Sequence, residues 1–252
     1  MLVSIIIPTY NNAEYIREAI TSVLNQTHKP VEIIVVDDGS TDETRKILEQ
    51  FETVKYVYQR HSGLAAALNT GVKHSRARFY SALGADDKLH PTYITRCLTE
   101  IVQEPRIGFV WTATQTFGDS TQLRTPRVFH HRYSILMGAG GQLGAALTSK
   151  ETFEDVDGYD PAMIGMEDWD FAIRAVKKGW RTKAVMEPLH YYRIHPRQSV
   201  AQERDNQFYK KLQAKHPVMK LYVPAARMFD LAILLFKNPK VAGQRLFQKI
   251  RK

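Results

Sequence analysis

Residues 31–40 read VEIIVVDDGS, and this stretch decides the fold that the sequence predicts. Five of its first six residues are Val or Ile, and a short run of β-branched apolar residues predicts a buried strand. Asp37 and Asp38 close the run, and the glycine and serine after them favour a turn. The stretch therefore predicts a buried strand that ends at two carboxylates.

Predicted strands and helices alternate along the chain before and after this strand. Residues 2–7 form a second apolar run, and residues 13–25 place apolar side chains at helical spacing. Further strands are predicted at residues 54–58 and 79–83, with a helix at residues 63–75 between them. Strands that alternate with helices predict an α/β fold with a parallel sheet and right-handed crossovers.

Acidic residues follow two of the predicted strands, as the pairs Asp37-Asp38 and Asp86-Asp87. The carboxyl ends of parallel strands meet at one edge, where open α/β sheets bind their ligands. We therefore expect a ligand site lined by carboxylates at this edge.

A third acidic segment, residues 165–171 (GMEDWDF), combines three acids with two large aromatic residues. Acids are costly beside apolar surface unless they have a partner or a task, so the segment is a candidate catalytic site. The alternative is that Glu167 and Asp168 only place negative charge at the start of a helix over residues 169–178.

Seven short motifs together resemble the family 2 glycosyltransferases of the GT-A fold, and the resemblance covers residues 2–197. It implies a Rossmann-like, mostly parallel sheet with flanking helices. The motifs are residues 5–11 (IIIPTYN), 35–40 (VVDDGS), 63–71 (GLAAALNTG), 85–87 (ADD), 158–160 (GYD), 167–170 (EDWD) and 192–195 (YRIH).

The resemblance implies an inverting glycosyltransferase that uses a nucleotide-sugar donor, with Asp168 as general base beside Glu167. In an inverting transfer an acceptor hydroxyl loses its proton while it attacks the anomeric carbon. A like charge at Glu167 and partial burial beside Trp169 would raise the pKa of Asp168 towards the working pH.

The resemblance also implies a divalent metal, Mn²⁺ or Mg²⁺, at Asp86 and Asp87 with His195 as a further ligand or phosphate donor. Hard oxygen ligands suit both ions, which would neutralise the departing diphosphate. Gly84 stands where many members carry another Asp, and this makes Asp86 the expected ligand and Asp87 a ribose or indirect partner. A solvated acidic turn is the alternative.

The nucleotide pocket is expected at the ends of the first strands, where an aromatic face can stack on a base and a carboxylate can accept from a base or ribose. The sequence contains no dinucleotide-binding or P-loop fingerprint. The predicted nucleotide-binding residues are Pro8, Thr9, Tyr10, Asp38, Ser62, Gly63 and Asp87.

Acceptor binding is predicted at the glycine-rich run of residues 137–144 (MGAGGQLG), since glycine permits close backbone approach or a mobile lid. A plain flexible loop is the equal alternative. The predicted acceptor-binding residues are Gly140, Gly141, Gln142 and Trp169.

The positive charge of the chain lies at its C-terminal end. Residues 206–252 hold 11 of the 35 Lys and Arg but one of the 26 Asp and Glu, which accounts for the whole net charge of +9. We therefore predict a glycosyltransferase domain at residues 1–205 and a basic helical extension at 206–252. The extension would lie on an anionic membrane surface or cap the domain, and nucleic acid is not an expected partner.

The cysteine content and the lack of recognisable targeting segments predict the cellular compartment. Cys97 is the only cysteine, so no internal disulfide forms, and neither a signal peptide nor a spanning segment is recognisable. We expect a cytoplasmic enzyme, peripheral at the inner face of the membrane.

The predicted activity is transfer of a hexosyl or N-acetylhexosaminyl group from a donor that we expect to be UDP-linked. The predicted acceptor is a saccharide or lipid-linked saccharide, as in polysaccharide biosynthesis. Two alternatives stay open at this point. One is a catalytically weakened relative that only binds sugar nucleotides, and the other is a phosphoacceptor α/β signalling domain.

Overall fold

The computed structural model describes residues 1–125, 145–196, 206–217 and 219. The strands are β1 Val3–Thr9, β2 Val31–Asp37, β3 Val54–Tyr58, β4 Phe79–Ala82, β5 Lys88–Leu89, β6 Ile107–Gly118, β7 Leu123–Arg124, β8 Leu147–Ser149 and β9 Arg181–Ile194. The helices are α1 Ile16–Leu24, α2 Thr44–Leu48, α3 Leu64–His74, α4 Tyr93–Ile101, α5 Lys150–Asp155, α6 Glu167–Lys177 and α7 Asn206–Lys215.

One sheet organises the described part of the chain, in the order β3-β2-β1-β4-β8-β6-β9-β5, with β7 beside β6. The strands β3, β2, β1 and β4 are mutually parallel. Strand β8 is antiparallel to both its neighbours, whereas β6 and β9 are parallel. The predicted α/β fold with a mostly parallel sheet is therefore confirmed.

Both faces of the central strands are buried, and this explains their continuous apolar sequence. In β1, Ile6 packs into the core on the face of α3 and α6, while Ile5 and Ile7 pack into the core on the face of α1 and α4. Successive side chains of a strand point to opposite faces, so one apolar run supplies both layers.

Predicted and observed boundaries differ most at α1. This helix begins at Ile16, three residues after the predicted start, because Asn11 has a left-handed φ of 53° and the chain turns there. The carbonyl of Asn12 then accepts the N–H groups of Tyr15 and Ile16. Asparagine tolerates this backbone region better than most residues do.

The described part of the predicted extension packs against the same core as the sheet. Leu212 and Met219 are 1% and 0% exposed and belong to the cluster that contains Ile6. The boundary at residue 205 stays a prediction, and most of the basic extension, residues 220–252 together with 218, lies outside the described residues.

None of the helices within the described ranges is long and apolar enough to cross a membrane.

Candidate active site

The loop after β2 is tied to the start of α3 through the carboxylate of Asp38. Its Oδ1 accepts the backbone N–H of Ser62 at 2.8 Å, and its Oδ2 accepts that of Gly63 at 2.8 Å. Gln59 adds a side-chain amide at 2.7 Å from Oδ1. Gly63 has a φ of +88°, which other residues rarely adopt. Asp38 therefore shapes the predicted nucleotide loop by holding its backbone.

Tyr10 lies beside this loop with 44% of its surface exposed. Its ring centroid is 4.2 Å from that of His61, whose Nδ1 lies 3.0 Å from Asp38 Oδ2. The predicted stacking residue is thus an accessible aromatic side chain near Asp38. Thr9 differs, because it is buried and its carbonyl accepts the Asp38 N–H at 2.9 Å, so it acts through the backbone.

Asp87 is buried and both of its oxygens have protein partners. Oδ2 lies 3.2 Å from His190 Nε2, and Oδ1 accepts the backbone N–H of Arg193 at 2.9 Å. Burial raises the pKa of Asp87, the hydrogen bond with His190 opposes that rise, and the charge of Asp86 adds to it. Its contacts are those of a residue that connects the strand-end loop to β9.

Asp86 is more accessible, with a quarter of its side chain exposed, and its Oδ2 lies 3.1 Å from His195 Nε2. The pairing of β5 with β9 brings these residues together, because Lys88 is opposite Tyr191 and the preceding acids then face the end of β9. The described residues contain no group of three or more metal-ligating side chains. Asp86 and His195 nevertheless fit a divalent ion, which commonly takes one or two carboxylates and completes its coordination with water and phosphate oxygens.

Gly84 leaves room for these carboxylates. A Cβ atom at this position would lie 2.8 Å from Asp86 Oδ1 and 2.9 Å from Asp87 Oδ2. Any side chain at residue 84 would therefore displace one carboxylate or the other. The glycine that replaces the common aspartate at residue 84 therefore leaves the space that the carboxylates of Asp86 and Asp87 occupy.

Helix α6 begins at Glu167 and carries Asp168 in its first turn. The Oδ1 of Asp168 accepts the backbone N–H of Trp169 at 2.7 Å. Burial, with a smaller contribution from the charge of Glu167, raises the pKa of Asp168 to about 6. The side chain lines a cavity and the residue is half-buried. Burial also raises the pKa of Glu167. These acids therefore start a helix and also line a cavity, and their catalytic role stays a prediction.

A cavity of about 860 Å³ joins the predicted nucleotide loop to the start of α6. Six predicted site residues line it: Pro8, Ser62, Gly63, Asp87, Glu167 and Asp168. Six other predicted residues within the described ranges stand outside this lining: Thr9, Tyr10, Asp38, Asp86, Trp169 and His195. Of these, Trp169 packs against the core cluster. Gly140, Gly141 and Gln142 lie outside the described residues.

Sequence reasoning missed two aromatic residues of α7, Phe208 and Tyr209, which also line the cavity. A signal for this helix was available, because Tyr209, Leu212, His216 and Met219 follow helical spacing and all pack inward.

The role of Asp170 was missed as well. This fully buried carboxylate lies 2.7 Å from Arg174 Nε through Oδ2, 2.7 Å from Lys215 Nζ through Oδ1 and 2.8 Å from His216 Nε2 through Oδ1. Burial alone would raise the pKa of Asp170, but its bonds with His216, Lys215 and Arg174 lower it below its usual range. Asp170 therefore ties α7 to the helix that carries Asp168.

The raised pKa of Asp168 predicts a pH dependence for any reaction in which it accepts a proton. A base must be ionised, so we expect kcat/KM to rise with pH, with its midpoint near pH 6, and to fall below that pH. The measurement is nucleoside diphosphate release between pH 5 and 8. The Glu167→Gln variant should shift the midpoint downwards, because it removes the neighbouring like charge. A flat profile over this range would contradict the assignment.

The family model for "Glycosyl transferase family 2" matches residues 4–154 of the chain. An uncharacterized glycosyltransferase of Rickettsia prowazekii is 50% identical over 94 residues, which are 37% of this chain and 30% of the relative. The chain thus spans about a third of the length of that relative.

Two solved structures share the fold. The crystal structure of S. aureus TarS 1-349 in complex with UDP-GlcNAc has a TM-score of 0.67 at 19% identity, covering 83% of this chain and 64% of TarS. The mannosyltransferase PcManGT from Pyrobaculum calidifontis, in complex with GDP-Man and Mn²⁺, has a TM-score of 0.62 at 21% identity, covering 99% and 79%. These likenesses confirm the GT-A type of fold. Together with the family match over more than half of the sequence, they show that this chain belongs to glycosyl transferase family 2.

Proposed function

We propose that this protein is an inverting glycosyltransferase that moves a sugar from a nucleotide-sugar donor, UDP-linked, to a saccharide or lipid-linked saccharide. One observation carries the proposal: a carboxylate with a pKa of about 6 lines the same cavity as the nucleotide loop and Asp87. Perturbed acids inside a large pocket are typical of catalytic sites.

Asp168 acts as the general base in this proposal. Its Oδ1 accepts the N–H of Trp169, and the carboxylate has further acceptor positions for the proton of an acceptor hydroxyl. The acceptor oxygen then bonds to the anomeric carbon while the bond from that carbon to the diphosphate oxygen breaks. Attack from the face opposite the leaving group inverts the anomeric configuration. The leaving group is a nucleoside diphosphate, and the proton stays on Asp168 until solvent removes it.

The nucleotide would bind along the loops that follow β1 and β2 and along the residues that immediately precede α3. Tyr10 offers a stacking face, and the backbone at Ser62 and Gly63 borders the cavity. The TarS and PcManGT structures hold UDP-GlcNAc and GDP-Man, respectively, which supports a nucleotide sugar as the donor class.

Asp86 and His195 would hold the divalent ion, because their side chains already adjoin and Asp86 is accessible. When bound, such an ion neutralises the charge that develops on the departing diphosphate. Asp87 keeps the loop in place through His190 and Arg193. The presence of Mn²⁺ in the PcManGT structure supports this assignment.

Calorimetric titration with UDP, GDP and dTDP, with and without Mn²⁺, tests the nucleotide pocket, its preference for one nucleobase and the metal site together. We expect one nucleotide to bind and Mn²⁺ to strengthen that binding by about tenfold or more, since the ion would bridge to the phosphates. The Asp86→Asn variant should lose the Mn²⁺-dependent part only.

The matched control is Asp157→Asn, because Asp157 is exposed, lies outside the cavity lining and has a φ of 59° that asparagine tolerates. Equal Mn²⁺ effects in the wild type and in Asp86→Asn would contradict the metal assignment. Absence of binding by all three nucleotides, or labelling of an aspartate by acetyl phosphate, would contradict the proposed function itself.

A further inference from the structure

The two aromatic residues of α7 form a wall of the cavity on the side of Asp168. Phe208 and Tyr209 are half-buried and both line the cavity. A Cβ atom on Gly165 would lie 3.8 Å from Phe208 Cγ, so this ring packs on the segment that leads into α6. The aromatic wall, Phe208 and Tyr209, therefore contacts the chain at Gly165, two residues before α6 begins at Glu167.

The aromatic wall is held rigidly relative to Asp168. Lys215 and His216 both bond to Asp170, which is on α6 two residues after Asp168. Lys215 also reaches Asp160 Oδ2 at 2.6 Å, and Leu212 is buried in the core. Because the ion pairs of Asp170 and the burial of Leu212 already hold α7 in place, the aromatic wall loses little conformational entropy when a ligand binds against it.

The composition of the wall and its surroundings suits a saccharide. Sugar rings present an apolar face of C–H groups and a rim of hydroxyls, so they need an aromatic surface together with a few polar groups. The cavity supplies the rings of Phe208 and Tyr209, and Glu167 and Asp168 supply carboxylates on the same side.

We propose that Phe208 and Tyr209 form the binding wall for the acceptor saccharide. The inference rests on the proposed function, in which the nucleotide occupies the loops near Asp38 and the acceptor hydroxyl meets Asp168. The acceptor must therefore enter on the α6 side of the cavity, where the aromatic wall stands. This assigns acceptor recognition to the described start of the C-terminal extension.

The test is an NMR titration with methyl glycosides of glucose, galactose, mannose and N-acetylglucosamine, in the presence of saturating UDP and Mn²⁺. We expect at least one glycoside to bind the wild type. Phe208→Ala should weaken its binding by about five- to tenfold, in keeping with the loss of one aromatic contact, while the Kd for UDP stays within about twofold. Phe208→Tyr should retain binding because it keeps the ring.

The matched control is Gln207→Ala, since Gln207 is the exposed neighbour on the same helix. Unfolding temperatures of all variants separate a local effect from loss of the fold. Unchanged glycoside binding in Phe208→Ala, or no glycoside binding by a wild type that binds UDP, would overturn the aromatic wall and leave the proposed function standing. A wild type that binds no nucleotide would overturn the proposed function first.

Discussion

Replacement of Asp168 by Asn is expected to lower kcat by about 10²- to 10⁴-fold, which is the usual contribution of a general base. The amide has nearly the same shape and still accepts the N–H of Trp169 through its carbonyl oxygen, but it cannot take a proton from the acceptor. Nucleotide binding should change by less than about twofold, because this loss concerns the chemical step. Release of nucleoside diphosphate from a nucleotide sugar measures the first quantity, and calorimetry measures the second.

Asp157→Asn serves again as the matched control and should behave as the wild type. If Asp168→Asn weakens nucleotide binding as much as it slows transfer, Asp168 holds the donor and is not the base. If it retains more than a tenth of the wild-type kcat, the general base is elsewhere. The same variant should also lose the rise of kcat/KM around pH 6, since that rise is assigned to the Asp168 carboxyl.

Replacement of Asp170 by Asn is expected to destabilise the fold by about 3–5 kcal/mol, the range measured when one partner of a buried ion pair is removed. The variant would leave Arg174 and Lys215 beside a neutral amide, and Asp170 itself is fully buried. Urea unfolding followed by tryptophan fluorescence gives the free energy of unfolding for comparison with the wild type.

The chain provides a matched comparison for Asp170. Arg45 and Glu49 form the same i,i+4 type of pair, but their side chains are 72% and 64% exposed, against 21% and 0% for Arg174 and Asp170. Glu49→Gln should cost less than about 0.5 kcal/mol, because solvent screens an exposed pair. Equal losses in the two variants would show that burial does not set the strength of the Asp170 pair.

The pH dependence of stability follows from the lowered pKa of Asp170, in which burial is outweighed by bonds with His216, Lys215 and Arg174. A carboxyl with a depressed folded-state pKa stabilises the fold fully above the ordinary pKa of aspartate. This contribution is lost as the pH falls through the folded-state pKa. The stability difference between the wild type and Asp170→Asn should therefore shrink in acid.

The parallel half of the sheet was predictable because each of its central strands is buried on both faces. Such a strand is apolar along most of its length, so β2 begins at the predicted residue, and β1 and β4 are displaced by at most two. The edge strand β3 also begins at its predicted residue, Val54. The start of α1 was predicted less well, since the left-handed turn at Asn11 leaves no mark in the apolar pattern.

The site was predictable where its residues follow strands directly. Asp38 and Asp86 come after β2 and β4, and the shared direction of those strands places both at one edge of the sheet. The partner of Asp87 was not predictable, because His190 and Asp87 are more than a hundred residues apart and meet only through the pairing of β5 with β9.

The periodic pattern of apolar residues therefore determined the fold class, and the seven motifs carried the family resemblance, which implied Asp168 as the general base candidate. Periodicity and short motifs are local properties of the chain. The insertion of β9 between β6 and β5 and the docking of α7 on α6 are non-local, and they determined which acids are paired and which rings line the cavity. Asp170 and Asp168 are two residues apart on one helix, yet burial has different outcomes for them. At Asp170 the hydrogen bonds with His216, Lys215 and Arg174 outweigh burial and lower the pKa, whereas at Asp168 burial raises the pKa.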